Sequence, residues 1–263
     1  MPSPWRFIAE SRRGPSHEAE GTPCQDSSRA RVLGDGERTF LVACVADGAG
    51  SAKYSDTGSS LACHAVVEGA TAFHEEHGAF VDLKRQDVLG WLGAAREKIA
   101  ADAEARECGV REYATTLVGV IAGPQRSFFF QIGDGAIILG NHGVFGVVFW
   151  PQSGEYANST NFITGKGFEE FVEFQAVDSG FTEVAMLTDG LERLALEFDT
   201  HTAFHPFCAP LFRSLHNTDD LEGLAGDLRG FLASESVSTR SDDDKTLILA
   251  SRLRETAAAN RAG

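Results

Sequence analysis

Residues 115–150 read TTLVGVIAGPQRSFFFQIGDGAIILGNHGVFGVVFW. Four short runs of β-branched and aromatic residues stand here: TTLVGVIAG, SFFFQIGDG, AIILG and GVFGVVFW. Glycine and turn residues separate them, as they separate strands. The gaps are far too short for crossover helices, so these strands must run antiparallel.

The same reading extends outward. Upstream, TFLVACVADGAG carries the apolar run Phe40–Ala46, a buried strand stopped by Asp47-Gly48. From Asp56 the spacing changes to that of a helix. Leu61, Ala62, Ala65, Val66, Gly69 and Ala70 recur at three- and four-residue steps. Residues 85–107 repeat this with Val88, Leu89, Leu92, Ala95 and Ile99, and Gly109 is a plausible stop. Residues 5–10 alternate as a first strand, and residues 11–36 read as loop. Downstream, residues 151–168 form a polar, irregular loop. FVEFQAV and TEVAMLT are strands, 203–235 are mostly helical, KTLILAS is the last strand, and the tail ETAAANRAG frays.

Strand, long helices, many strands, helices, strand is an α+β order. It fits a β-sandwich of two mostly antiparallel sheets flanked by helices, and βαβ winding does not fit. No linker or internal repeat divides the chain, so a single domain over residues 1–263 is expected.

Composition narrows the function. Hydrophobic residues make up 43% of the 263, including 19 Phe, enough to bury a core. Lys and Arg total 23 against 38 Asp and Glu, a formal charge of −15. Nucleic-acid binders carry a basic face for phosphate contacts, and no basic run stands here, so nucleic acid is set aside as a partner. No stretch reaches about 18 apolar residues, so no membrane span is expected. Cys24, Cys44, Cys63, Cys108 and Cys208 are odd in number, widely spaced and form no CxxC pair. Buried reduced thiols in a cytoplasmic protein account for them.

The chemistry lies in where the aspartates stand. Three apolar strands end in Asp-Gly: ACVADG with Asp47, FFFQIGDG with Asp134 and VAMLTDG with Asp189. In SDDDKTLIL, Asp243 precedes a strand, and Asp26 in PCQD is a fifth acid of interest. One such Asp-Gly is an ordinary turn. Several converging carboxylates repel one another unless a cation sits between them. Hard ions such as Mg²⁺ or Mn²⁺ take oxygen ligands of this kind.

The residues also resemble a known family. VADGAGSAKYSDTGSSLA, YATTLVGVI, QIGDGAIIL, MLTDGLERL and SDDDKTLIL are similar, in order, to the motifs of the protein phosphatase 2C (PPM-type) family. SHEAEGTPCQD, DGAGSAKYS and GEYANSTNFIT resemble a prokaryote-type subgroup. The resemblance implies an α-β-β-α sandwich and hydrolysis of phosphoserine and phosphothreonine in proteins. The nucleophile would be a hydroxide bridging two Mg²⁺ or Mn²⁺ ions, with no phosphoenzyme, opposing a Ser/Thr kinase. It implies Asp47 and the Gly48 carbonyl as metal ligands, Asp189 and Asp243 on the second metal, and Asp134 with Asp189 on a looser third. Asp26 would orient water, and Thr115 and Thr116 would line the site. The loop around 152–167 corresponds to the family's variable flap, where Asn158, Thr160 and Lys166 could meet substrate.

Three positions depart from the better-known eukaryotic pattern. Ala49 stands where a His follows Asp-Gly, Gly21 stands near the place of a phosphate-binding Arg, and Asp244 replaces an Asn. His17, with Arg12 or Arg13, is the expected substitute, because SRRGPSHE lies just upstream of Asp26. The competing expectation is a protein phosphatase 2C fold that has lost turnover and acts as an interaction domain.

Overall fold

The computed structural model describes residues 5–152, 160–178 and 180–252. The chain opens with strand β1 (Arg6–Arg12), helix α1 (Pro15–Glu20) and strands β2 (Ser27–Leu33) and β3 (Phe40–Ala46). Two long helices follow, α2 (Ser55–His77) and α3 (Arg85–Ala105). Then come β4 (Leu117–Ala122), β5 (Arg126–Ile132), β6 (Ala136–Asn141), β7 (Val144–Val147), β8 (Glu173–Asp178) and β9 (Glu183–Leu187). Helix α4 (Glu192–Ala195) leads to the hairpin β10 (Leu196–Glu197) and β11 (Thr202–Ala203). Helices α5 (His205–Asn217), α6 (Leu221–Leu232) and α7 (Glu235–Ser238) precede β12 (Lys245–Ser251).

The strands form two five-stranded sheets, ordered β1-β12-β9-β6-β7 and β2-β3-β4-β5-β8. Neighbouring strands in both are antiparallel, as the tight spacing requires. Period-two alternation sorts the apolar side chains of β3 to two faces. Val42, Cys44 and Ala46 join a core under α2 and α3, with Val66, Leu92 and Ile99. Leu41, Ala43 and Val45 face the other sheet and meet Val120, Phe129, Met186 and Ile248. A third core packs the β9 and β12 sheet on α4, α5 and α6 through Leu187, Leu249, Phe212 and Leu228. The result is the expected α-β-β-α sandwich. Each buried Leu, Val or Phe contributes about 1.5–3 kcal/mol over exposure. Three such layers make the sheets rigid, and their strand ends become fixed points for functional groups.

Some elements differ from the sequence reading. Residues 11–36 are not loop: β1 runs to Arg12, α1 begins at Pro15, and β2 spans Ser27–Leu33. Strand β2 is an edge strand whose Arg29 and Arg31 are exposed, so its polar face hid the alternation. Helix α1 is short but starts with Pro at its first turn and buries His17. Helix α3 stops at Ala105, before Gly109, which instead precedes a 3₁₀ turn over Val110–Tyr113. The β10–β11 hairpin has too few residues for a periodic signal. The tail beyond Arg252 lies outside the described residues.

Candidate active site

Register brings the acids to one end of the sandwich. Ser27 pairs with Ala46, so Asp26 and Asp47 stand side by side where β2 starts and β3 ends. Leu187 pairs with both Leu247 and Ala136. Asp189, just past β9, therefore lies beside Asp243, just before β12, and Asp134, just before β6. Residues far apart in the chain converge because antiparallel neighbours alternate starts and ends.

Backbone and hydroxyl contacts hold Asp47, Asp26 and Asp134 in place. Asp47 donates its N–H to Thr116 Oγ1 at 3.0 Å, and its carbonyl accepts from Thr116 N–H and Thr115 Oγ1, both at 2.9 Å. Thr188 Oγ1 donates to Asp26 Oδ2 at 2.7 Å and accepts from Thr246 N–H at 3.1 Å. Thr160 Oγ1 donates to Asp134 Oδ2 at 2.8 Å. Gly190 lets the turn after β9 touch β12: a Cβ there would lie 1.9 Å from the Asp244 carbonyl oxygen.

One carboxylate oxygen from each of Asp47, Asp134 and Asp189 lies within 4.8 Å of the others. Burial is the main reason their acidities fall, and mutual repulsion adds to it. Asp189 is pushed up to about 8 by burial and by the charges of Asp134, Asp243 and Asp26. Asp26 is pushed up to about 7 by burial and by Asp244 and Asp243, against the hydrogen bonds of Thr188 and Thr246. Asp47 is raised well above the usual carboxylate range by burial and by Asp26 and Asp189. Burial raises Asp134 as well.

This tension fits a divalent cation. Asp26 Oδ1 and Asp134 Oδ1 are buried and accept no hydrogen bond among the described residues. The cation of the buried Lys245 binds the Asp243 backbone carbonyl at 2.7 Å, not the carboxylates. Oxygen-only ligands, high negative charge and orphaned acceptors are what Mg²⁺ or Mn²⁺ requires.

A family model described as protein phosphatase 2C matches residues 13–233. The chain belongs to the protein phosphatase 2C family. Serine/threonine-protein phosphatase 3 of Escherichia coli (strain K12) is 36% identical over 253 residues, covering 94% of this chain and 98% of that protein. The fold matches solved structures at low identity. PppA, a key regulatory component of T6SS in Pseudomonas aeruginosa, superposes with a TM-score of 0.62 at 17% identity, covering 96% of this chain and 99% of that one. The catalytic domain of the serine threonine protein phosphatase PstP, in complex with 2 manganese ions, gives 0.59 at 17% identity, covering 95% and 99%.

The other expected residues fall in different places. His17 is buried on α1, with Nδ1 2.9 Å from Asp244 Oδ2 and Nε2 4.0 Å from Asp243 Oδ1. The Nδ1 contact has ion-pair distance but not hydrogen-bond alignment. Arg12 pairs with Glu18 at 3.7 Å, and Arg13 donates to the Thr22 carbonyl at 3.1 Å. Gly21 ends α1 in the left-handed region at φ 73°, a conformation a side chain at that position would strain. Asn158 lies outside the described residues, and Lys166 is exposed. Two contributors went unread in the sequence. Thr188 holds Asp26, and Glu192, on the first turn of α4, has its carboxyl raised by burial and by the Asp134 charge. The acid two residues past Asp189-Gly190 was the available signal for Glu192.

Proposed function

We propose that this phosphatase hydrolyses phosphoserine and phosphothreonine in proteins at the acidic end of the sandwich. The observation that carries this is the trio of half-buried aspartates, Asp47, Asp134 and Asp189, each offering a carboxylate oxygen within 4.8 Å of the others. Asp47, Asp189, Asp243 and the Gly48 carbonyl would hold two Mg²⁺ or Mn²⁺ ions, with Asp134 and Asp189 available to a third. When bound, these ions supply the positive charge that a phosphate dianion needs and acidify water for attack on phosphorus.

The chain's own groups do the rest. Asp26, held by Thr188 with one oxygen free, orients the attacking water. Water attacks in line, and the P–O bond to the seryl or threonyl oxygen breaks. That oxygen keeps the electron pair and takes a proton, which His17 supplies from Nε2. His17 replaces the side chain that Ala49 lacks. A Cβ on Gly50, one residue past Ala49, would lie 3.7 Å from His17 Nε2, so the imidazole lies near the turn that follows Asp47. Arg12, Arg13 and Asn158 would meet the phosphate once substrate competes for the Glu18 and Thr22 contacts of the two arginines.

The biological setting follows family logic: a cytoplasmic signalling enzyme that opposes a Ser/Thr kinase. No helix among the described residues is long and apolar enough to cross a membrane, which is compatible with that setting. A turnover-deficient interaction domain is the weaker reading, because Asp26 is buried and Asp47, Asp134 and Asp189 crowd together half-buried at a cost that a cation offsets.

The test is hydrolysis of a phosphothreonine peptide with Mn²⁺, with EDTA, and by Asp189→Asn. Turnover that needs Mn²⁺ and is lost in the variant is expected. A folded, Mn²⁺-binding protein without turnover would overturn the catalytic reading.

A further inference from the structure

We infer that Asp244 is a positioning residue for His17, so the Asp that replaces the family's Asn and the His on α1 work as one unit. The inference rests on the proposed acid role of His17 and extends it to a residue with no assigned part.

The geometry is specific. Asp244 sits at the mouth of β12 with a side chain 1% exposed. Its Oδ1 accepts the Gly14 N–H at 2.7 Å. Its Oδ2 accepts the Gln25 N–H at 2.6 Å and lies 2.9 Å from His17 Nδ1. One carboxylate therefore ties together the residue before α1, the residue before Asp26, and the imidazole. Gly14 has no room for a side chain, since a Cβ would lie 2.3 Å from the Asp243 carbonyl carbon. The Ser16 N–H also bonds the Asp242 carbonyl at 3.0 Å. Helix α1 is thus pinned to the 242–244 segment at several points, and its one buried imidazole is delivered beside Asp243.

Charge chemistry explains why a carboxylate suits this place. A side chain that receives one backbone N–H on each oxygen needs acceptors at both positions. An Asn offers one acceptor oxygen, and its NH₂ would meet one of those two donors as a second donor. Asp244 occupies the Nδ1 side of the ring, which leaves Nε2 as the free nitrogen, turned toward Asp243 and the Asp47 turn. An acid that must reach a leaving oxygen depends on such fixing, and partners of this kind typically matter 10–100-fold.

The experiment compares Asp244→Asn, His17→Ala and the double variant on two substrates, a phosphothreonine peptide and an aryl phosphate. The aryl leaving group needs little protonation, so an acid and its support matter less there. Expected is a drop of about 10–100-fold in kcat on the peptide for Asp244→Asn. Its KM should stay near that of the unmodified protein, and its aryl phosphate rate should change little. The double variant should be no slower than His17→Ala, because both remove one function. A second readout needs no turnover: the ring ¹⁵N shifts of His17 in the metal-free protein should move in Asp244→Asn.

The outcomes separate cleanly. If His17→Ala slows neither substrate selectively, the acid role itself fails. If His17→Ala is selective but Asp244→Asn leaves both the peptide rate and the ¹⁵N shifts unchanged, the acid role stands and the positioning role is wrong. Equal losses on both substrates in Asp244→Asn, with lower melting temperature, would reduce Asp244 to a structural tie. Asp244→Glu, which keeps the charge but moves it, serves if the Asn variant fails to fold. It should lose peptide turnover selectively, and unchanged turnover would refute the need for fixed geometry.

Discussion

Asp189→Asn should stabilise the metal-free protein while abolishing its response to metal. Burial and neighbouring acids lift the Asp189 carboxyl from 3.8 to about 8. A folded pKa above the unfolded one means the folded state keeps a proton that the unfolded chain has released. That contribution to stability is fully present below about pH 4 and is lost as pH rises toward 8. At about 1.36 kcal/mol per pH unit, the ceiling is roughly 6 kcal/mol. Local relaxation and water screening bring the working figure to about 2–3 kcal/mol. Asn is isosteric and uncharged, so it removes the penalty and eases Asp47, which Asp189 also raises. A chain of this size gains about 2–4 °C per kcal/mol, so the metal-free variant should melt about 4–12 °C higher at pH 8. At pH 4 the difference should vanish. With Mn²⁺ at about 1,000 times its Kd the order should invert, because binding then adds about 4.1 kcal/mol only where the site is intact. Melting curves in EDTA and in Mn²⁺ at both pH values give all four numbers. A metal-free variant that melts at or below the parent at pH 8, or gains equally at pH 4, would refute the reasoning.

Thr188→Val removes the donor to Asp26 and the acceptor for Thr246 N–H, leaving buried groups unpaired. It should cost about 1–3 kcal/mol in thermal melts and lower kcat by about 10-fold or more, since Asp26, which we propose orients the attacking water, loses its support. Gly190→Ala places a Cβ 1.9 Å from the Asp244 carbonyl oxygen, so the turn after β9 must leave β12. Destabilisation above about 3 kcal/mol and loss of Mn²⁺ binding by titration calorimetry are expected, and wild-type behaviour would contradict the close approach. Arg96 on α3 donates to the carbonyls of Ile163 and Gly165 and stacks 4.8 Å from the Phe168 ring, which steadies the segment that carries Thr160. Arg96→Ala should raise the Mn²⁺ concentration for half-maximal activity about 2- to 10-fold through the Thr160–Asp134 contact, at a cost near 1 kcal/mol in stability.

The strands that build the sandwich were legible because burial on both faces leaves continuous apolar runs, as in Phe40–Ala46 and Phe128–Phe130. The acids were legible because each of three strands ends in Asp-Gly. What could not be read was whatever depends on contacts across the chain. Strand β2 is half solvated, so its sequence SSRARVL lacks a clean period. Thr188 looks like an ordinary strand residue until β12 lies beside it. Asp244 reads as one more acid in SDDD, and only the fold shows it bonded to Gly14, 230 positions away. Local pattern reports burial and turns, and partners far apart in sequence leave no local trace.

The arrangement also explains why a strongly acidic chain keeps its acids together. Asp47 follows β3 of one sheet, while Asp189 and Asp243 flank β9 and β12 of the other. Asp134 sits on the turn that carries the chain from β5 to β6, between the two sheets. The carboxylates therefore press the sheet ends apart where the inter-sheet core, with Val45, Val118, Met186 and Ile248, runs out. A cation held among them reverses that sign and joins the sheets at the same end. The repulsion that costs stability without metal is what gives metal binding its driving force. Weakening it by neutralising one acid must then trade affinity for fold stability, and both quantities hang on the same few strand-end residues.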